Sequence, residues 1–488
     1  MLFNSYEFIF IFLPFSFFIY FFLLQQKLLL GAKAFLVFAS LFFYSWWNIS
    51  YLPIILTSML FNYTIGNSLN GNFLHQKISK KSLLTLGIVA NLLLLGYFKY
   101  SDFFIENFNV AFGTSYSLLH LMLPLAISFF TFQQIAYLVD SYRQETKEYD
   151  FINYALFVTF FPQLIAGPIV HHKEMMPQFA SHWNMVKKYK NIALGLFIFS
   201  IGLFKKVVIA DTFALWATTG FDHTTVLGFY EAWATSLSYT FQLYFDFSGY
   251  TDMAIGAALL FNIKLPINFF SPYKALSIQD FWRRWHITLS RFLKDYIYIP
   301  LGGNRKGSVR TYANLITTFI LGGLWHGAGW TFLFWGLLHG LALAIHRFWK
   351  YLGFKIPKIL AWFITFQFVN VAWVFFRAKE WEDALKILKG MIDIQSLKTL
   401  EPFKHIDTER VLALNTFIEF NILYYTSSLL ILGFVISTLL PNTHQLREKF
   451  HLKKETSIFD VLFIGALLGF ALIVTVASTG SEFLYFNF

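Results

Sequence analysis

LGGLWHGAGWTFLFWGLLHGLALAI, residues 321–345, decides the class of fold. It carries no Asp, Glu, Lys or Arg, and the charge-free run extends from Thr311 to His346, between Arg310 and Arg347. Roughly 20 apolar residues cross a hydrocarbon core as a helix, so this run holds two crossings that meet near Gly327 and Gly329. Composition extends the reading to the whole chain. Of 488 residues 57% are hydrophobic and 13% are charged, whereas a water-soluble domain carries about 25% charged residues. So little charge cannot cover a water-exposed surface of this size, and lipid must cover part of it.

Outward from that run, apolar stretches of similar length cover about 7–24, 28–47, 51–67, 83–99, 118–139, 151–168 and 191–209. Others cover about 226–262, 311–328, 330–346, 358–376, 417–440 and 458–478. The 226–262 stretch suits one tilted span or two short ones. The expectation is an all-α polytopic membrane protein of about 11 to 13 transmembrane or re-entrant helices. No repeat and no low-complexity linker divides it, so residues 1–488 are expected to form a single membrane domain. The first apolar stretch lacks a basic leader and a small-residue cleavage site, and reads as a retained span.

The net charge of +11 reflects Lys and Arg gathered in cytoplasmic loops rather than a nucleic-acid surface. Lys27 and Lys33, then Lys77, Lys80 and Lys81, place the first and third loops inside and the N-terminus outside. Arg447, Lys449, Lys453 and Lys454 place the last loop inside, and so residues 479–488 outside. The segment 263–310 falls on the cytoplasmic side. FPQLIAGP, residues 161–168, sits between two cytoplasmic sides and is expected to re-enter and turn back. Irregular backbone at membrane depth needs protein or a water-filled cavity around it.

Chemistry concentrates in two blocks. Residues 263–310 hold Arg283, Arg284, Lys294, Arg305 and Lys306, with aromatic residues interleaved. Phe281, Trp285, Thr288 and Phe292 fall close to one helical face, which predicts amphipathic cytoplasmic helices at the inner leaflet. The cations suit lipid headgroups or the phosphates of a donor such as coenzyme A. The second block is the opening run. His326 lies mid-way along it, and an ionisable group at membrane depth marks a functional site. Its imidazole can take a hydroxyl proton as general base and return it to a leaving thiolate. The flanking glycines let another backbone or a substrate come close. His286, in WHITLS, is a second candidate. With no Cys and no ligand cluster such as H-E-x-x-H, no metal site is expected. His171 and His172, beside Lys173 and Glu174, read as a solvated loop. Asp246 and Asp252 lie in the apolar FQLYFDFSGYTDMAIG (241–256), and their carboxylates are expected to pair with Arg283 or Arg284 or to line a polar tunnel.

Six blocks, taken together, resemble membrane-bound O-acyltransferases of the alginate O-acetyltransferase branch. They are LPLAISFFTFQQIAYLVDSYR (123–143), FFPQLIAGPIVHHKEMMPQF (160–179), FQLYFDFSGYTDMAIG (241–256), FWRRWHITLSRFLKDYIYIPLGGNRKG (281–307), LGGLWHGAGWTFLFWGLLHG (321–340) and WVFFRA (373–378). That branch includes peptidoglycan O-acetyltransferases and, more distantly, D-alanyl transfer proteins. The resemblance implies helices around a tunnel, with a cytoplasmic mouth for acetyl-CoA and an outer funnel for the acceptor. It implies that His326 is the essential histidine and His286 the second recurrent one. It also implies a periplasmic partner of the SGNH hydrolase type that completes the transfer. No such domain is fused to this chain, so a separate protein is expected. The tail SEFLYFNF resembles the acceptor peptide that cooperates with D-alanyl transfer proteins, which makes Tyr485, flanked by Phe483 and Phe486, a candidate acyl carrier; an aromatic membrane anchor is the alternative.

The expected function is therefore acetyl transfer from cytoplasmic acetyl-CoA across a bacterial inner membrane to a cell-envelope polysaccharide, peptidoglycan ahead of alginate. The catalytic candidates are His326, His286 and Tyr485, and the donor-binding candidates are Arg283, Arg284, Lys294, Arg305 and Lys306. The rivals are a polytopic transporter lined by Asp246, Asp252 and His326, and a lipid O-acyltransferase of the same superfamily.

Overall fold

A computed structural model of the chain describes residues 1–71, 78–146, 150–399, 422–452, 457–477 and 483–484. Every regular element among them is helical. Six helices are long and apolar enough to cross a membrane, or seven if the bent pair beginning at Ile422 counts as one span. Of the remaining apolar stretches, some form shorter or broken helices and others, such as Phe229–Leu260 and Gly307–His326, form long unbroken ones. The described residues fall into two compact units, Met1–Ile201 with Tyr250–Pro266, and Gly202–Gly249 with Ile267–Phe488.

The first unit opens with α1 (Leu13–Gln25), α2 (Leu29–Ser45), α3 (Leu52–Leu69), α4 (Lys80–Lys99) and α5 (Ser101–Phe112). Local chemistry sets several ends. Ser79 Oγ accepts from Ser82 N at 3.1 Å to cap α4, and Gly113, with φ of 64°, closes α5 in the left-handed region. The span expected over 118–139 begins later, because α6 covers Ile127–Tyr142 after a non-helical approach. Polar side chains join these helices in the apolar interior. The Asn91 amide donates to Asn62 Oδ1 at 2.6 Å, the Gln134 amide to Ser58 Oγ at 3.0 Å, and Tyr154 Oη to Gln134 Oε1 at 3.0 Å. Such bonds hold helices together where apolar attraction between helices and lipid is indifferent.

The 151–168 stretch breaks as expected. Helix α7 (Phe151–Thr159) stops at Phe160, whose φ and ψ of −47° and 109° leave the helical region, and the single turn α8 (Phe161–Leu164) follows. His171 and His172 do not lie in a solvated loop. Both are buried at the start of α9 (His172–Ala180), and His171 Nδ1 lies 3.4 Å from Asp140 of α6. Helix α10 (Tyr189–Phe204) leads to a π-helical turn at Lys205–Ala210, then α11 (Asp211–Thr218). The 226–262 stretch is one helix, α12 (Phe229–Leu260), of 32 residues. At about 1.5 Å per residue it exceeds a hydrocarbon core of about 30 Å.

The second unit contains the basic segment and the opening run. The amphipathic face expected over 281–292 is buried, with Phe281, Trp285, Thr288 and Phe292 each at most 3% exposed. It belongs to two short helices, α13 (Ile278–Trp282) and α14 (Ile287–Leu293), with a turn between them. Then come α15 (Gly307–His326), α16 (Trp330–Leu352), α17 (Lys358–Arg377), α18 (Trp381–Met391), α19 (Ile422–Thr438), α20 (Thr443–Leu452) and α21 (Ile458–Ala477). Helices α15 and α16 form a close antiparallel hairpin. A Cβ on Gly323 would overlap the Phe332 carbonyl, and one on Gly336 would overlap the Phe319 carbonyl. These glycines admit a neighbouring backbone, one of the two uses expected for the glycine cluster.

Candidate active site

The site is built around Asn268, fully buried in the non-helical stretch before α13. Its side-chain Oδ1 accepts from Thr288 N at 3.1 Å and from Thr288 Oγ1 at 2.9 Å, and lies 3.1 Å from His286 Nδ1. A backbone N–H is only a donor, so the atom facing Thr288 N must be the oxygen. That oxygen only accepts, so His286 Nδ1 carries the hydrogen. The neutral ring then presents Nε2 with its lone pair. The Asn268 side chain thus fixes the His286 tautomer.

The backbone holds this ring in place. His286 has φ of 42°, a left-handed conformation uncommon for a residue with a Cβ. Ile287 N donates to the Asn268 carbonyl at 2.9 Å, and Phe270 N to the Arg284 carbonyl at 2.9 Å, so both sides of the bend are stitched to one non-helical segment. The ring meets Phe247 edge to face at 4.8 Å between centroids and is fully buried. Burial pushes its imidazole down to about 3, so it is neutral at ordinary pH.

His326 is the last residue of α15, where extended Gly327 turns the chain toward α16. Its ring is 3% exposed and sits 4.9 Å from Trp325, 5.2 Å from Trp335 and 5.0 Å from Phe376, measured between centroids. Trp325 also faces His286 at 6.3 Å. The structure therefore brings both histidines against one indole. His339 joins the same aromatic group: Trp282 Nε1 donates to its Nδ1 at 3.2 Å. Sequence reading missed this cage of Trp282, Trp335, Trp373 and Phe376, although the Trp density of 325–335 and WVFFRA hinted at it.

Asp246 does not pair with Arg283 or Arg284. Its Oδ1 meets Lys206 Nζ at 2.7 Å, and the same ammonium meets Asp211 at 2.8 Å. Lys206 lies on the π-helical turn, whose irregular winding swings it into the interior. Asp246 Oδ2 accepts from Leu484 N at 3.1 Å. Phe483, 2% exposed, packs on Phe247 at 5.8 Å. Residues 483–484 thus reach the ring that borders His286. Tyr485 and Phe486 lie outside the described residues.

The five candidate donor-binding cations have different settings. Arg284 Nε is held by Asp280 at 2.8 Å, and Lys294 meets Asp295 at 3.3 Å. Arg305 and Lys306 are exposed on the turn before α15, and Asn314 Nδ2 braces that turn through the Gly303 carbonyl at 2.9 Å. Arg283 borders a separate cavity. Among the described residues no three His, Asp or Glu side chains converge as a metal site would need.

Similarity to known proteins accords with this arrangement. The family model described as MBOAT, membrane-bound O-acyltransferase family, matches residues 41–378, which include both histidines. The chain is 53% identical to the peptidoglycan O-acetyltransferase of Helicobacter pylori over 100% of this chain and 98% of that protein. It is 42% identical to the probable alginate O-acetylase AlgI of Pseudomonas aeruginosa over 80% of this chain and 75% of that protein. It is 28% identical to the teichoic acid D-alanyltransferase of Bacillus subtilis over 52% of this chain and 69% of that protein.

Proposed function

The chain belongs to the membrane-bound O-acyltransferase family, and from that premise we propose that it O-acetylates a cell-envelope polysaccharide, with acetyl taken from cytoplasmic acetyl-CoA and passed across the inner membrane. It is an O-acyltransferase and a multi-pass membrane protein. Peptidoglycan stands ahead of alginate as the acceptor. The observation that carries this is the 53% identity over the whole chain to a peptidoglycan O-acetyltransferase, against 42% over 80% for the probable alginate O-acetylase.

The chemistry assigned to the site is acyl transfer with one proton moved. A hydroxyl oxygen attacks the thioester carbonyl, and its proton passes to His326. The C–O bond forms, the C–S bond breaks, and the proton leaves on the coenzyme A thiolate. His286, neutral with Nε2 as acceptor, orients the hydroxyl by accepting its hydrogen. The aromatic cage excludes water that would hydrolyse the thioester. Lys294, Arg305 and Lys306 are exposed and suited to the donor's phosphates, while Arg284, already bonded to Asp280, contributes less. Tyr485 is assigned as the outward carrier, supported by the docking of Phe483 and Leu484 near His286. A separate periplasmic SGNH-type protein then carries acetyl to the sugar.

The test uses purified protein in liposomes with labelled acetyl-CoA and a soluble glycan acceptor plus partner. Release of free coenzyme A matched by glycan acetylation is expected, and both should vanish in His326→Ala. Acetyl recovered only in lipid would replace the polysaccharide reading with that of a lipid acyltransferase.

A further inference from the structure

We infer that the second unit holds a specific site for one anionic phospholipid, in the cavity between α13, α16 and α17. This cavity of about 900 Å³ is bounded by α16 and α17, the α13 entrance and the loop that links α16 to α17. Its walls are largely apolar: Leu338, Leu341 and Ile345 of α16 face Ile364 and Phe368 of α17. Several are unusually open for such residues, with Ile345 64% and Ile364 50% exposed. Both helices are long and apolar enough to cross the membrane, so this open wall adjoins acyl chains.

The rim is different. Arg283 and Lys350 border the cavity and are exposed, and neither side chain forms a salt bridge among the described residues. Gln279 adds an amide. Trp349, beside Lys350, donates Nε1 to the Phe354 carbonyl at 3.1 Å. An indole so anchored sits well at headgroup level, where amphipathic rings collect. An apolar groove bordered by two exposed cations and an indole matches one class of molecule: acyl chains with an anionic phosphate. Coenzyme A, polar along nearly its whole length, would leave the apolar wall unmatched. Arg283 therefore leaves the donor-binding set.

The site bears on catalysis by position. Arg283 immediately follows α13, whose Trp282 donates to His339, and precedes Trp285 and His286 in the chain. A phosphate held by Arg283 steadies the turn that sets His286. The lipid is thus a positioning ligand that never meets the acetyl group.

The experiment is native mass spectrometry of the full chain released from nanodiscs containing phosphatidylcholine and phosphatidylglycerol. One phosphatidylglycerol should be retained in preference to phosphatidylcholine by about tenfold, since each cation near an anionic headgroup contributes appreciably. Arg283→Gln/Lys350→Gln should reduce the preference to near parity, whereas the charge-matched Lys80→Gln/Lys81→Gln should keep it. Filling the groove with Ala342→Trp, which leaves both cations, should also release the lipid. No preference in the parent protein, unchanged retention in both cavity variants, or displacement of the lipid by acetyl-CoA would each overturn the proposal, the last by making the cavity part of the donor site.

Discussion

The two histidines make different demands of their surroundings, and the difference can be measured. His326 is assigned the proton transfer, so His326→Ala should lower acetyl transfer by about 10²–10⁴-fold while the protein still elutes as a folded species. Activity within threefold of the parent would remove it from that role. His286 is held neutral, with its proton on Nδ1 by Asn268. Asn268→Ala frees the ring to take either tautomer and should lower kcat more than it alters KM for acetyl-CoA. Asn268→Asp places an anion against Nδ1 and favours the imidazolium, so the acid limb of the pH–rate profile should move to higher pH. An unchanged profile would show that Asn268 only packs. Stability responds to the same burial. An unfolded chain protonates His286 near 6.5, whereas the folded one does so near 3. Between those values the unfolded state binds more protons, so stability is lost as pH falls through this window. Acidification from pH 7 to pH 5 should cost about 2 kcal/mol at this residue. The melting temperature of His286→Gln should therefore fall less steeply with acid than that of the parent.

At the scale of elements, some features were legible in the sequence and others were not, for physical reasons. Charge-poor apolar length gives a membrane helix directly, so α3, α4, α16 and α17 follow their apolar stretches closely. His326 stood out as a candidate because a titratable ring in an apolar run is costly and rare. The break within 281–292 was not, because its apolar residues keep helical spacing; only the stitching to Asn268 turns the chain at His286. Nor was the Lys206 pair: a lysine at the end of an apolar stretch reads as a loop anchor until a π-helical turn swings it inward. The glycines of the opening run were legible as sites of close approach but not as to what approaches. The structure answers that for Gly336, where a neighbouring carbonyl fills the space. Gly336→Leu should force α15 and α16 apart at a cost of about 1–3 kcal/mol or more, seen as a lower melting temperature and aggregation in detergent. Gly465→Leu on α21, where nothing lies within 4 Å of the added carbon, should be tolerated. Equal tolerance of both would mean that the hairpin is looser than its packing indicates.

At the scale of the molecule, the function proposed above requires a two-carbon group to pass a barrier that its coenzyme does not cross. That proposal assigns the passage to a relay hydroxyl on the tail, whose Leu484 N is held by the buried ion cluster. Lys206 balances Asp246 and Asp211, and Asp246 spends its other oxygen on Leu484 N. Removing the lysine as Lys206→Met leaves two carboxylates without their cation, a defect of about 3–5 kcal/mol in a buried pair, so that variant reports on folding. Tyr485→Phe is cleaner, because it deletes one oxygen next in sequence to the docked Leu484. A phenol of ordinary pKa near 10 is a better leaving group than an alkyl alcohol, so an acetyl ester on Tyr485 retains the drive to pass acetyl onward. The Tyr485→Phe protein should keep its melting temperature and its acetyl-CoA binding, yet lose export of acetyl to the envelope. Parent protein incubated with acetyl-CoA and no partner should carry one acetyl on its C-terminal peptide by mass spectrometry, and that mass should be missing from Tyr485→Phe and from His326→Ala. Full envelope acetylation by Tyr485→Phe would assign the tail to membrane anchoring through its aromatic rings and would send acetyl from His326 directly to the partner.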